Sequence, residues 1–206
     1  MKKYIDWVSQ FLNKQLNLQS RILVVLAALM IIPTFFLPLW GMEFWSYQYP
    51  EGLDLYIHSQ KLESGNDGAD LLEINILNHY IGMKAIEAED FTEFKWIPLA
   101  LLIFIFIAFR AAVFGKMGKV VDAFFLFVYF GIYSMWTFWY RLYSYGHNLD
   151  PKAAVRLEPF MPPVFGYKPV GQFKVWSYPE AGGYLLVVFA AILLLAIWLS
   201  RNEEAL

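Results

Sequence analysis

The sequence predicts an all-α integral membrane protein, a bundle of four transmembrane helices with two extracytoplasmic loops, of which the first forms a small β-rich cap. Of the 206 residues, 59% are hydrophobic and only 17% are charged, whereas soluble domains average about 45–50% apolar and about 25% charged residues. The apolar residues also fall in four runs of about 20, the length that crosses a bilayer. A net charge of −2 leaves no basic surface for nucleic acid.

The four spans are predicted at residues 22–40, 96–114, 120–143 and 183–200. Each must be helical, because lipid offers no partner for backbone N–H and C=O groups. The first run is longer than the apolar core of a cleaved signal peptide, and no small-residue cleavage pattern follows it. This favours a retained membrane anchor.

Lysine and arginine predict the orientation, because they concentrate in loops on the cytoplasmic side of a membrane. Basic residues populate the segments 1–21 and 115–119, whereas segment 41–95 carries three basic against eleven acidic residues. We therefore predict that 1–21, the 115–119 loop and the 201–206 tail lie inside, with 41–95 and 144–182 outside. In a bacterium this places the chain in the inner membrane with periplasmic outer loops; the inverted topology is the alternative.

The N-terminal segment has apolar residues near helical spacing between Tyr4 and Leu18. This predicts an amphipathic helix on the cytoplasmic surface of the membrane. A plain extension of the first span agrees equally well with the same pattern.

The first outer loop, 41–95, is too long for a simple connection. Apolar and polar residues alternate over 53–58, which predicts a β-strand, and the run 64–68 is a turn cluster. We expect Leu71–Ile81, rich in isoleucine, to return as the partner strand. A helix at Asp70–Met83 is the competing interpretation.

The second outer loop, 144–182, contains six prolines, which exclude long helices. It is nevertheless rich in apolar and aromatic residues. Apolar segments of this size usually contact something. We expect it to pack on the first loop, with the lipid headgroups or a partner protein as alternatives.

Charged and aromatic residues mark the predicted membrane interfaces. Arg110 and Asp122 fall near the ends of the second and third spans, where they snorkel or pair with each other across the short loop. Trp136, Trp139 and Arg141 lie toward the outer end of the third span, as an interfacial belt and its anchor would. A quinone or lipid pocket between the aromatic rings is the alternative.

Metal chemistry is restricted by the absence of cysteine, which excludes Fe–S clusters, thiolate zinc sites and disulfide relays. His79 and Met83 are four residues apart and share a face on a helix or a strand. An imidazole with a thioether suits copper, particularly Cu(I), and His58, Met42 or Met161 could complete the shell. The competing interpretation is that these histidines and methionines only fill the core.

Three short runs carry a resemblance: LNHYIGM at 77–83, PPVFG at 162–166 and FKVWSYP at 173–179. Together they resemble small bacterial membrane proteins associated with nitrous oxide reductase maturation and copper handling. The resemblance implies a copper-using, respiratory periplasm, and it favours copper as the ligand of His79 and Met83. It implies no catalytic residues.

We therefore expect a non-catalytic integral membrane accessory protein of a periplasmic or respiratory metalloenzyme system, handling copper. Its partners would be membrane lipids and a membrane or periplasmic protein, not nucleic acid. The alternative is a structural subunit of a membrane oxidoreductase complex, held by its outer loops and aromatic helix faces. A permease fits less well, because the spans lack polar groups at mid-membrane.

Overall fold

The computed structural model describes residues 2–170 and 173–204. Positions 1, 171–172 and 205–206 of the predicted terminal and loop segments lie outside the described residues. The described helices are α1 (Lys2–Leu12), α2 (Leu18–Ile31), α3 (Ala69–Tyr80), α4 (Glu93–Phe114), α5 (Met117–His147) and α6 (Ala181–Leu199). The described strands are β1 (Trp40–Trp45), β2 (Leu53–Ile57), β3 (Leu62–Ser64), β4 (Gly166–Val170) and β5 (Phe173–Pro179).

Four of these helical segments are long and apolar enough to cross a membrane: Leu18–Phe35, α4, α5 and α6. The structure thus contains the four long apolar helices that the sequence predicts, consistent with a membrane protein. In the bundle, α2 packs between α4 and α6, and α5 contacts the same two helices. Small side chains let the helices approach closely, among them the buried Ala27, Ala28, Ala108, Ala111 and Ala196.

The first span is displaced toward the N-terminus: it runs from Leu18 to Phe35 instead of the predicted 22–40. α2 ends at Ile31 and continues as a 3₁₀ turn, Ile32–Phe35, before β1 begins at Trp40. Pro33 and Pro38 explain this end, because proline has no N–H to continue the helical hydrogen bonds. The third helical run is longer than predicted, since α5 continues beyond the span to His147.

Polar side chains join the bundle at the end away from the strands. Asn17 caps α2 by accepting a hydrogen bond from Ser20 N at 2.8 Å, and its own N–H donates to Ser200 Oγ at 3.0 Å. Arg21 donates from Nε and Nη2 to the carbonyl oxygens of Ala112 and Val113, at 2.8 and 2.9 Å. These carbonyls lie in the last turn of α4, where a cation is favourable.

The five described strands form one antiparallel sheet in the order β3-β2-β1-β5-β4. We call the sheet together with α3 the cap. The expected cap drew on the first loop alone, but β4 and β5 come from the second loop, so the two loops pack on each other through β1 and β5. The all-α class thus describes the membrane bundle and not the cap.

The expectation of a partner strand at Leu71–Ile81 is wrong, because this segment belongs to the helix α3. Its buried residues are Asp70, Ile74 and Asn78, at the four-residue spacing of one helix face. The edge of β2 is already taken by β3. Ile74, with Leu71 and Leu77 beside it, therefore packs into the core of the cap from a helix, against the strand propensity of the isoleucines in this segment.

Candidate functional site

The run LNHYIGM forms the end of α3 and the turn after it. Gly82 has φ +79°, a left-handed conformation that suits glycine. Its N–H donates to the carbonyl oxygen of His79 at 3.2 Å, and Met83 N donates to that of Asn78 at 2.8 Å. These two bonds make a Schellman helix end, which folds Met83 back beside the last turn.

This helix end places His79 and Met83 at one cavity of about 620 Å³ in the cap. His79 is exposed and Met83 is half-buried. The far wall comes from the second loop, where Asp150 N donates to the carbonyl oxygen of Gly82 at 2.8 Å. Lys84, Lys152 and Asp150 also line the cavity, and the ammonium of Lys84 is paired with the Asp90 carboxylate.

The other three predicted copper ligands lie elsewhere. Met42 is buried in the apolar core of the cap, and Met161 packs against that same core. His58 is buried at the other face of the cap, toward the membrane helices. Within residues 2–170 and 173–204, no three His, Asp or Glu side chains group in a way that could hold a metal ion. The structure therefore brings together two of the five predicted ligands.

A second cavity, of about 690 Å³, lies where α4, α5 and α6 meet the cap. We call it the interhelical cavity. Its walls are almost entirely apolar in composition, and Phe130 and Gly131 belong to them. The exposed side chains of Ile132, Met135 and Val187 also line it, so it opens to the outer surface of the bundle between α5 and α6.

An ion pair lies at the cap end of the interhelical cavity. Arg141 Nη2 on α5 donates to Glu93 Oε2 on α4 at 2.7 Å, and the two side chains are only 21% and 13% exposed. The guanidinium carbon also lies 4.4 Å from the centre of the Phe91 ring. Arg141 is therefore held inside the protein, rather than anchored at the membrane surface as its sequence position suggested.

His58 follows β2 and lines the same cavity. It is 3% exposed, and its Nε2 lies 2.9 Å from Glu63 Oε2, an ion-pair distance without hydrogen-bond alignment. Among the described residues its Nδ1 has no hydrogen-bond partner. Arg141 Nε and Ser134 Oγ are also buried without a partner there, and such atoms in a native protein call for an explanation.

The remaining predicted interface residues lie on the surface of the bundle. Arg110 is exposed near the end of α4, and its guanidinium carbon lies 5.4 Å from the Phe114 ring centre. Asp122 is exposed on α5. Trp136 and Trp139 are also exposed there, as an aromatic belt requires.

No family model, no curated protein and no solved structure matches this chain. Its candidate sites therefore rest on the geometry alone. The helix end at Gly82 could have been recognised in the sequence, since glycine after an apolar run is a helix-stop signal. The pairing of Arg141 with Glu93 had no such signal, because the two residues belong to different helices.

Proposed function

We propose that the protein is a non-catalytic accessory protein of a bacterial copper-enzyme system, and that its cap binds Cu(I) at His79 and Met83. The observation that carries this proposal is that both side chains line one open cavity of the cap. An imidazole and a thioether together suit Cu(I) better than zinc or magnesium. His79 is exposed, which argues against a role in packing alone.

A site with only two protein ligands suits the transfer of Cu(I) to a partner protein better than its storage. Cu(I) accepts low coordination numbers, so a partner protein could complete the ligand shell while the ion is still held here. Lys152 at the cavity wall opposes a cation, whereas Lys84 is paired with Asp90 and the side chain of Asp150 lines the same cavity. Met42 and Met161 stay in the core of the cap, and the proposal assigns them no part in binding.

The charge pattern supports the proposed location in a bacterial inner membrane with both termini inside. Segments 1–21 and 115–119, at the end of the bundle opposite the cap, carry six Lys or Arg and one Asp, whereas the cap segment 41–95 carries three basic against eleven acidic residues. In this orientation the cavity of His79 and Met83 opens to the periplasm. A copper enzyme maturing there is the partner that this proposal requires.

A competition titration with a Cu(I) chelator tests the proposal on the detergent-solubilised full chain. His79→Ala and Met83→Ala should each weaken Cu(I) affinity at least about tenfold, because each removes one ligand. His147→Ala is the matched control, since its ring stacks on Tyr143 at 3.8 Å and lies outside the cavity lining. Unchanged affinity in the first two variants, or an equal loss in the control, would overturn the assignment.

A structural-subunit function is the second candidate, and the surface of α5 favours it. Only 17% of an apolar 18-residue stretch of α5 is buried inside the protein. A row of exposed aromatic rings runs along this helix, namely Tyr129, Tyr133, Trp136, Trp139, Tyr140 and Tyr143. Such a face can pack on a partner helix. This function predicts that the chain alone is unstable in mild detergent; a stable, monodisperse monomer would contradict it.

A further inference from the structure

We propose that the interhelical cavity binds the head of an isoprenoid quinone or quinol. This site uses different residues from the Cu(I) site and does not depend on it. Its volume of about 690 Å³ lies within the range of small-molecule sites, about 300–1,000 Å³. Because it opens to the outer surface of the bundle between α5 and α6, a ligand would enter from the bilayer, with its apolar tail left among the exposed Ile132, Met135 and Val187.

Unpartnered polar atoms supply the hydrogen-bonding end of the site. The His58 ring is 3% exposed and lines the cavity; its Nε2 lies 2.9 Å from Glu63 Oε2, and its Nδ1 has no hydrogen-bond partner within the described residues. Arg141 Nε and Ser134 Oγ, on α5 at the same cavity, are also buried and unpartnered there. Since Nε2 of His58 faces the Glu63 carboxylate, Nδ1 is the nitrogen available to a ligand. It donates to a quinone carbonyl when it carries a proton and accepts from a quinol hydroxyl when it does not.

The charges at the cavity favour a neutral head over a phospholipid. Arg141 is the basic residue of the cavity lining, and its charge is already paired with Glu93 at 2.7 Å. A phosphate entering here would meet the Glu93 carboxylate and would have to compete for the guanidinium. A quinone ring carries no charge, and its oxygens match the unpartnered donors without breaking that pair.

Decylubiquinone titration of the full chain in nanodiscs tests this proposal, with tryptophan fluorescence as the signal because Trp40 lines the cavity. The discs contain phosphatidylcholine and phosphatidylglycerol, so phospholipid competes throughout, and empty discs give the partition background. Gly131→Leu is the principal variant. A Cβ at Gly131 would meet no atom within 4 Å, so the new side chain fills the cavity without a backbone clash.

We expect saturable quenching in the unaltered protein and an affinity at least about tenfold weaker in Gly131→Leu. Ala191→Leu adds similar bulk at an exposed position of α6 outside the cavity lining and should bind normally. His58→Leu should weaken binding about five- to tenfold through the lost hydrogen bond. Thermal unfolding of each variant checks that the fold is retained.

Three results would overturn the proposal. The first is quenching that only follows partition into empty discs. The second is saturable binding that Gly131→Leu leaves unchanged, which would place the ligand elsewhere on the protein. The third is displacement of the quinone as the phosphatidylglycerol fraction is raised, which would make the cavity a phospholipid site.

Discussion

Arg141 donates a hydrogen bond of 2.7 Å to Glu93 and joins two membrane helices at a point where both side chains are largely buried. The pair also closes the cap end of the interhelical cavity. A buried pair of this kind adds little net stability by itself, but the loss of one partner leaves the other charge uncompensated.

Arg141→Met should therefore lower the free energy of unfolding by about 2–3 kcal/mol, toward the low end for a buried pair because both groups retain some exposure. Glu93→Gln should cost less, since the amide oxygen still accepts a hydrogen bond. The double variant should be more stable than the sum of the two single effects predicts. Thermal unfolding in detergent measures all three, and strict additivity would show that the two residues are not coupled.

The membrane part of this fold is predictable from sequence, and the cap is largely not. Apolar runs of about 20 residues predict spanning helices whatever their packing partners are, and the structure has four such helices. The pairing of β1 with β5 joins Trp40–Trp45 to Phe173–Pro179, and no local pattern encodes which distant strands meet. The prediction of a strand at Leu71–Ile81 failed for a related reason: β3 occupies the edge of β2 with which this segment was expected to pair.

The candidate sites divide in the same way. His79 lies in the last turn of α3 and Met83 follows it, so the local turn at Gly82 is enough to bring both residues to one cavity. The interhelical cavity combines His58 from the cap with Glu93 and Arg141 from two helices. The residues that line this cavity depend on how the cap packs on the bundle. The aromatic residues of α5 alone gave a quinone or lipid pocket only as an alternative to an interfacial belt.

Gly82→Ala should destabilise the protein both through backbone strain and through a steric clash. Comparison with Gly68, where only the strain applies, separates the two effects. Gly82 has φ +79°, and an added Cβ would lie 2.8 Å from the carbonyl oxygen of Asp150. Gly68 has φ +96° with nothing within 4 Å, so alanine there meets only the backbone strain, about 1 kcal/mol. We expect Gly82→Ala to destabilise the protein by about 2 kcal/mol or more, measured by thermal unfolding. Equal effects at the two positions would show that the contact with Asp150 contributes nothing.

The hydroxyls of Ser20 and Ser200 should stabilise the end of the bundle opposite the cap. Both are fully buried, and Ser200 Oγ donates to Ser20 Oγ at 2.8 Å while Ser20 Oγ donates to the carbonyl oxygen of Ala196 at 2.9 Å. Ser20→Ala should cost about 1–2 kcal/mol, because Ser200 loses its acceptor. Ser20→Ala with Ser200→Ala should cost less than the two single effects together. A chemical-denaturant series in detergent provides the comparison, and a neutral Ser20→Ala would contradict it.

Lowering the pH should stabilise the cap, because it protonates the carboxylate of Asp54. This carboxyl lies opposite Glu43 in the β1–β2 ladder, and its pKa is raised, first by burial and then by repulsion from Glu43. Because the pKa is higher in the folded than in the unfolded chain, the folded state binds the proton more tightly. Stability therefore rises as the pH falls from the folded-state pKa toward about 3.9, the pKa of an unperturbed aspartate.

Asp54→Asn should make the cap more stable at neutral pH and remove this part of its pH dependence, since the uncharged amide meets neither penalty. Hydrogen exchange of β1 and β2 amides, followed from neutral pH into this acidic window, gives the opening free energy of the cap itself. Glu51→Gln is the control, because Glu51 is an exposed carboxylate in the same loop and should change neither quantity. If the opening free energy of Asp54→Asn fell at neutral pH, the charged form of Asp54 would be contributing to stability and the argument from burial and repulsion would fail.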